Sequence, residues 1–186
     1  MIEAELKARV GDRDQILALL GARVTPEPAT YADTYYDTPD SSLAAADREL
    51  RVRLAVRQGL TRCHLTYKEA AVPGTGAKPE HETRVDDPSI LSTVFRVLGL
   101  VVLTQLTKHC HNYRFDAHGY RMLATVVSVP ELAESFVEVE TLVPAAGDVP
   151  AALAAIRLLL AELGLGEADL DTRAYTDMVR RARMGG

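Results

Sequence analysis

The sequence predicts an α+β protein built around an antiparallel β-sheet or barrel, with helices packed against it. Segments in which apolar and polar residues alternate outnumber the helical segments, and short turns join neighbouring strands. The chain has 186 residues, of which 47% are hydrophobic and 25% charged, so it is long enough to bury one sizeable core. We therefore expect a single domain across residues 1–186.

Strands dominate the first half of the chain. Residues 2–9, IEAELKAR, alternate strictly between apolar and charged side chains. Asp12 supplies a cap and Gly21 a stop for a short helix. Further strands are predicted at 31–37, 49–56, 63–69 and 78–85, with one helical turn at 42–46. The tyrosines of the first of these strands are interpreted as packing residues, namely Tyr31, Tyr35 and Tyr36.

The second half begins and ends with helices. Asp87 and Pro88 provide a cap and a first-turn proline for a helix that ends at Gly99. Strands are predicted at 103–115, 120–129 and 135–142. A long helix follows at 149–163, and a last helix starts at about Thr172.

Charged residues recur at a spacing of two on several predicted strands, which places them on one face. If the opposite, apolar faces pack beneath helices, the charged faces converge. The acids of this pattern are Glu3, Glu5, Glu80, Glu82, Glu138 and Glu140, and the bases are Lys7, Arg51, Arg53, Lys68, Lys78 and Lys108.

Converging charges of both signs are costly unless they are paired, hydrated or bound to a ligand. Carboxylates suit Mg²⁺ or Mn²⁺, and arginine and lysine suit phosphate oxygens, so a metal-bound polyphosphate would satisfy both. The alternative is that each strand simply presents its charges to solvent, as in most one-sided antiparallel sheets.

Composition narrows the choice of partner and compartment. A net charge of -5 argues against a nucleic-acid polymer or a membrane surface as partner. No leader pattern or membrane-length apolar run is present, so we expect a cytoplasmic protein. Cys63 and Cys110 are far apart in sequence and are expected to be free thiols. A homodimer is an open alternative.

Several motifs, in chain order, resemble those of the CYTH family, the triphosphate tunnel metalloenzymes. They are Glu3-x-Glu5-x-Lys7, DTYYDTP at 33–39, LRVR at 50–53, LTYKEA at 65–70, Lys78-Pro-Glu80, FVEVE at 136–140 and AYTDM at 174–178. The resemblance implies an eight-stranded antiparallel barrel, or tunnel, that is flanked by helices and threaded by a polyphosphate. The expected partner is therefore a small phosphorylated substrate.

The resemblance also implies roles for individual residues. Glu3, Glu5, Glu138 and Glu140 would hold Mg²⁺ or Mn²⁺, while Lys7, Arg51, Arg53 and Lys68 would bind phosphates. Glu3, Glu5, Lys7 and Lys68 are the expected catalytic residues, and Glu80 is a supporting acid. The charge pattern adds Lys78 and Lys108 as substrate-binding residues and Glu82 as a second supporting acid.

Family activities include hydrolysis of inorganic or thiamine triphosphate and nucleotide cyclisation. The leading interpretation is metal-dependent hydrolysis of a triphosphate-containing substrate. A nucleotide cyclase is one alternative. Another is a repurposed scaffold, either an enzyme of secondary metabolism or a binder of anionic ligands.

Two positions depart from the family pattern. Cys110 stands where the family usually has a phosphate-binding arginine, and Val127 is the best match to a metal-binding aspartate. A thiol cannot replace a guanidinium group. Arg114 and Arg121 are candidates to supply the missing positive charge, and sequence alone leaves open which of them faces inward.

Overall fold

Eight antiparallel strands form the framework of the protein in the computed structural model, which describes residues 1–185. They are β1 (Ile2–Val10), β2 (Glu27–Asp37), β3 (Glu49–Arg57), β4 (Leu60–Lys68), β5 (Lys78–Val85), β6 (Val101–Ala117), β7 (Tyr120–Ser128) and β8 (Ser135–Val143). They close into a barrel in the order β1-β5-β4-β3-β2-β6-β7-β8. The predicted α+β class and antiparallel barrel are confirmed.

Five helices flank the barrel: α1 (Arg13–Gly21), α2 (Ser42–Ala45), α3 (Pro88–Val97), α4 (Val149–Glu162) and α5 (Tyr175–Gly185). The predicted caps are present. The Asp12 carboxylate accepts the Gln15 backbone N–H at 3.0 Å, and Asp87 caps α3 just before Pro88. Within the described part of the chain, no helix combines the length and the hydrophobicity that a membrane crossing requires.

Four elements begin at positions other than those predicted. β6 starts at Val101, two residues early, where it pairs with Asp37 of β2. β2 starts at Glu27, four residues early, because its first residues pair with β6. β4 starts at Leu60, after a tight turn in which Gly59 has a φ of +77°. α5 starts at Tyr175 because the preceding segment is extended, and the Asp171 N–H donates to the Lys7 carbonyl at 2.8 Å.

The main hydrophobic core lies outside the barrel wall. Ala4 and Ala8 of β1 are fully buried there and belong to the same cluster as Ile156 and Leu159 of α4. Because side chains alternate across a strand, burying Ala4 and Ala8 outward turns Glu3, Glu5 and Lys7 toward the barrel interior. The charged residues of β1 therefore face the tunnel.

A second apolar cluster lies on the inward side of the barrel, next to α5. Val127 and Phe136 from the strands pack in this cluster with Met178 and Val179 of α5. Burial of these side chains fixes the C-terminal helix against the tunnel. The interior is therefore apolar near α5 and charged elsewhere.

Candidate active site

A charged cavity of about 710 Å³ runs through the barrel. All the acids and bases singled out in the sequence line it: Glu3, Glu5, Lys7, Arg51, Arg53, Lys68, Lys78, Glu80, Glu82, Lys108, Glu138 and Glu140. The converging-charge arrangement is therefore present, and the alternative of strands that merely show their charges to bulk solvent does not describe these residues.

Three carboxylates form the acidic side of the cavity. Glu5 and Glu140 are cross-strand partners on β1 and β8, and oxygens of Glu3, Glu5 and Glu140 all lie within 4.8 Å of one another. Burial, together with the charges of Glu138 and Glu3, raises the pKa of Glu5 to about 7. Burial and neighbouring glutamates also raise the pKa of Glu140. Such a crowded set of oxygen ligands fits a hard divalent cation such as Mg²⁺ or Mn²⁺.

Glu138 lies apart from this acidic group. It is the cross-strand partner of Lys7, and its carboxylate is 3.2 Å from the Lys108 ammonium. Burial opposes the charge of Glu138, but Lys108 and Lys7 outweigh that effect and lower its pKa. In this structure Glu138 therefore pairs with Lys108, whereas the Lys7 ammonium donates to the Arg173 backbone carbonyl. The three-carboxylate group that could bind a cation forms without Glu138.

Arg51, Arg53 and Lys68 form the cationic wall opposite. Lys68 pairs with Glu3 and, at 3.0 Å, with Glu80. Burial opposes the ammonium charge of Lys68, but these acids together with Glu5 raise its pKa, so it stays charged. Among residues 1–185, the buried Nε atom of Arg51 has no hydrogen-bond partner. A donor of this kind, held inside a cavity, is suited to an anionic ligand.

Arg53 is fixed by an acid that the sequence reasoning did not assign to the site. Both carboxylate oxygens of Asp33 accept hydrogen bonds from the Arg53 guanidinium, each at 2.7 Å. The Asp33 side chain is completely buried, which opposes its charge, but the hydrogen bonds from Arg53 outweigh burial and lower its pKa. The alternation of Tyr31, Asp33 and Tyr35 along β2 was the signal that could have placed it inward.

Tyr175, the first residue of α5, was also missed as a member of the site. Its ring centroid is 3.9 Å from the Lys108 ammonium and 4.4 Å from that of Lys7. Burial lowers the pKa of Lys7, whereas cation–π contacts favour the charged form. The C-terminal helix thus helps to position two lysines, and the AYTDM motif was the available signal.

Lys78 and Glu82 occupy more exposed positions at the rim of the cavity. Lys78 is 2.6 Å from Asp47, and Glu82 is 3.0 Å from His64. Both residues line the cavity, but neither belongs to the three-carboxylate group within the described chain. Their roles in substrate binding and support stay predictions.

The two departures from the family pattern are neighbours in the barrel. Cys110 on β6 is the direct cross-strand partner of Val127 on β7, and both side chains are buried in the apolar cluster with Phe136. Burial raises the pKa of the Cys110 thiol to about 12, so it carries no charge near neutral pH. Two uncharged side chains thus stand together where the resemblance implies a cation and an acid.

Arg114 and Arg121 have different surroundings. Arg114 lines the cavity, whereas Arg121 is largely exposed and lies 3.4 Å from Asp116. Arg114 is therefore the arginine with access to the tunnel. It does not reach the Cys110 position by register, because it lies four residues further along β6 and pairs with Leu123.

Solved structures share this architecture. The PH1819 protein of Pyrococcus horikoshii OT3 has a TM-score of 0.85 at 24% identity, over 96% of this chain and 98% of that one. A candidate adenylate cyclase from Vibrio parahaemolyticus has a TM-score of 0.81 at 18% identity, over 97% and 98% of the two chains. HpAC1 from Hippeastrum, an adenylyl cyclase candidate described as having a dominant triphosphatase activity, has a TM-score of 0.65 at 18% identity, over 97% and 95%. At these identities the likeness establishes the fold alone.

Comparison of the sequence with protein families shows which family the chain belongs to. No curated protein matches the sequence significantly. The family model for the CYTH domain, however, matches residues 1–175, which is nearly the whole chain. Together with the closed eight-stranded barrel and its charged interior, this match shows that the chain belongs to the CYTH domain family.

Proposed function

We propose that this protein hydrolyses a small triphosphate-containing substrate within the barrel, with Mg²⁺ or Mn²⁺ as cofactor. The observation that supports this proposal most is the convergence of Glu3, Glu5 and Glu140 within 4.8 Å of one another, in a cavity also lined by Arg51 and Arg53. A triphosphate with a bound divalent cation is complementary to both the negative and the positive charges of this cavity.

The cationic residues have separate tasks in this proposal. Arg51, with its unpaired Nε, and Arg53, held by Asp33, donate hydrogen bonds to non-bridging phosphate oxygens. Lys68, between Glu3 and Glu80, offsets the charge that develops as water attacks the terminal phosphorus in line and the bond to the leaving phosphate breaks. Lys7, held by the Tyr175 ring and the Arg173 carbonyl, and Lys108, held by Tyr175 and Glu138, keep the substrate aligned.

The three carboxylates are the residues that would hold the cation, which when bound supplies charge neutralisation and activation of water. Glu5 must be deprotonated for this role, and its pKa of about 7 lets it give up its proton near neutral pH. Glu80 would keep the Lys68 ammonium in its position beside Glu3, where the acidic and cationic sides of the cavity meet.

Phosphate release tests the proposal. Purified protein should release phosphate from inorganic triphosphate, thiamine triphosphate or a nucleoside triphosphate when Mg²⁺ or Mn²⁺ is added. The double variant Glu3→Gln, Glu5→Gln should lower the rate by at least about a hundredfold. Glu134→Gln, at an exposed loop position, is the matched control and should leave the rate unchanged. Release that does not exceed that of the double variant would eliminate the hydrolase. Formation of a cyclic nucleotide instead would select the cyclase.

A binding protein without turnover is the second candidate. It is favoured by the opposed pair of Cys110 and Val127, which leaves the site short of one cation and one acid relative to the family pattern. In that case inorganic triphosphate should raise the unfolding temperature as its concentration exceeds its dissociation constant, with no phosphate released.

A further inference from the structure

The cavity extends past the residues expected to bind a triphosphate. On β3, Arg57 lies four residues beyond Arg53, a separation of about 13 Å along an extended strand. On β6, Asn112 and Arg114 continue the inward-facing series that starts at Lys108. All of these side chains line the same cavity as the acidic group. One end of the tunnel therefore has polar and cationic residues to which the proposed reaction gives no role.

A hydrogen-bonded network connects Arg57 to Asn112 across β2. The Arg57 guanidinium donates to the Tyr31 hydroxyl at 2.6 Å, and the Asn112 side-chain amide donates to the same oxygen at 3.0 Å. The Asn112 side-chain oxygen in turn accepts a hydrogen bond from Thr125 at 3.0 Å. Asn112 and Tyr31 are both buried. Arg57 is thus held in place by neutral groups.

Neither arginine at this end is neutralised by an acid. Within residues 1–185, no carboxylate oxygen lies within 4.0 Å of the guanidinium nitrogens of Arg57 or Arg114. Arg53 and Arg173, which line the same cavity, are paired with Asp33 and Asp171 respectively. Two uncompensated guanidinium groups that line a cavity attract a further anionic group.

We propose that Arg57, which shares the Tyr31 hydroxyl with Asn112, and Arg114, two residues beyond Asn112 on β6, form a second anion subsite that receives a phosphoryl group beyond a bound triphosphate. This inference rests on the proposed function, in which the triphosphate occupies the wall of Arg51, Arg53 and Lys68. The subsite selects substrates that extend further along the tunnel than three phosphoryl groups. The additional phosphate has two possible sources, namely a longer linear polyphosphate or an organic triphosphate with a second, distal phosphate.

Equilibrium binding in EDTA tests the subsite without turnover. By titration calorimetry, a linear polyphosphate longer than three units should bind about tenfold more tightly than tripolyphosphate, as expected for one charge-assisted contact near solvent. A nucleoside triphosphate with a 3′-phosphate, compared with the unmodified nucleotide, tests the second source. The source that shows the gain identifies the substrate class.

Variants assign the gain to the two arginines. Arg57→Gln and Arg114→Gln should each reduce the preference for the extended ligand, and the double variant should abolish it while tripolyphosphate affinity stays within about twofold. Arg121→Gln is the matched control, since this arginine lies on the neighbouring strand, pairs with Asp116 and does not line the cavity. Arg114 makes no side-chain ion pair within residues 1–185, so the effect of Arg114→Gln is separable from any loss of stability at Arg57.

Several outcomes would overturn the subsite. Equal affinity for short and extended ligands, no binding of either, or the same loss in Arg121→Gln would each do so. The result is independent of catalysis. If the protein releases phosphate from inorganic triphosphate but binds short and extended ligands equally, the proposed function stands and the subsite is refuted. If it prefers the extended ligand but releases no phosphate, the subsite stands and the proposed function is refuted.

Discussion

Cys110 and Val127 lie opposite each other in the barrel, and substituting them tests whether these two positions correspond to the arginine and the aspartate of the family pattern. Val127 is fully buried and Cys110 nearly so. Val127→Asp alone would bury a carboxylate with no cation opposite it on β6. Cys110→Arg alone would bury a guanidinium with no acid opposite it on β7. Because an uncompensated buried charge costs several kcal/mol, each single variant should lose about 3 kcal/mol of unfolding free energy.

The double variant should behave differently from the sum of the two. Directly opposed residues on antiparallel strands have Cβ atoms about 5 Å apart, which is within reach of an ion pair. We therefore expect a favourable coupling energy of at least about 2 kcal/mol between the Val127→Asp and Cys110→Arg substitutions, measured by urea denaturation of all four proteins. The neutral pair Val127→Asn and Cys110→Gln should show much weaker coupling. Additive losses in the charged cycle would refute the reasoning.

The same double variant tests the chemistry. If the missing cation and acid limit the reaction, restoring both should raise the rate of phosphate release by about a hundredfold relative to the natural sequence. Either substitution alone should raise the rate of phosphate release by less than about tenfold. A folded double variant with an unchanged or lower rate would contradict the match of Cys110 and Val127 to the family's arginine and aspartate.

Three further outcomes follow from individual side chains. Asp33→Asn should lower the unfolding free energy by about 3 kcal/mol in urea denaturation, since it breaks a buried pair and leaves Arg53 without its carboxylate, and retention of full stability would contradict this. Because Glu5 is protonated below its pKa of about 7 and the pKa of Glu140 is raised as well, Mg²⁺ affinity measured by calorimetry should increase by at least about tenfold per pH unit as the pH is raised toward 7; a flat profile would show that Glu5 does not bind the metal. Native Cys110, whose thiol pKa is about 12, should react with iodoacetamide at pH 8 at least about a hundredfold more slowly than the urea-unfolded chain, and comparable rates would show that the thiol is accessible.

Much of the barrel could be predicted because its alternation is local information. In β1 the pattern IEAELKAR places alanines on one face and charges on the other, and the structure buries Ala4 and Ala8 against α4 as that pattern requires. Strand ends were less predictable. The early start of β2 depends on pairing between Glu27 and Asn112, which are far apart in the chain, and no local signal encodes that register.

The sequence predicted which residues line the site better than it predicted which of them pair with each other. The spacing of two identified most charges on the inner face, yet it could not tell that Glu138 lies with Lys108 while Glu140 joins Glu5. These partnerships depend on how neighbouring strands are staggered around the barrel. Tyr175 was missed for a similar reason, because its contact with the lysines is made only when α5 packs against the tunnel.

A structure of the protein crystallised with inorganic triphosphate and Mn²⁺ would test the central claim most directly. Anomalous scattering should place a manganese ion among the carboxylates of Glu3, Glu5 and Glu140, with phosphate oxygens in contact with Arg51 and Arg53. Manganese bound elsewhere, or a triphosphate outside the barrel while these carboxylates stay metal-free at saturating Mn²⁺, would contradict the proposed tunnel chemistry.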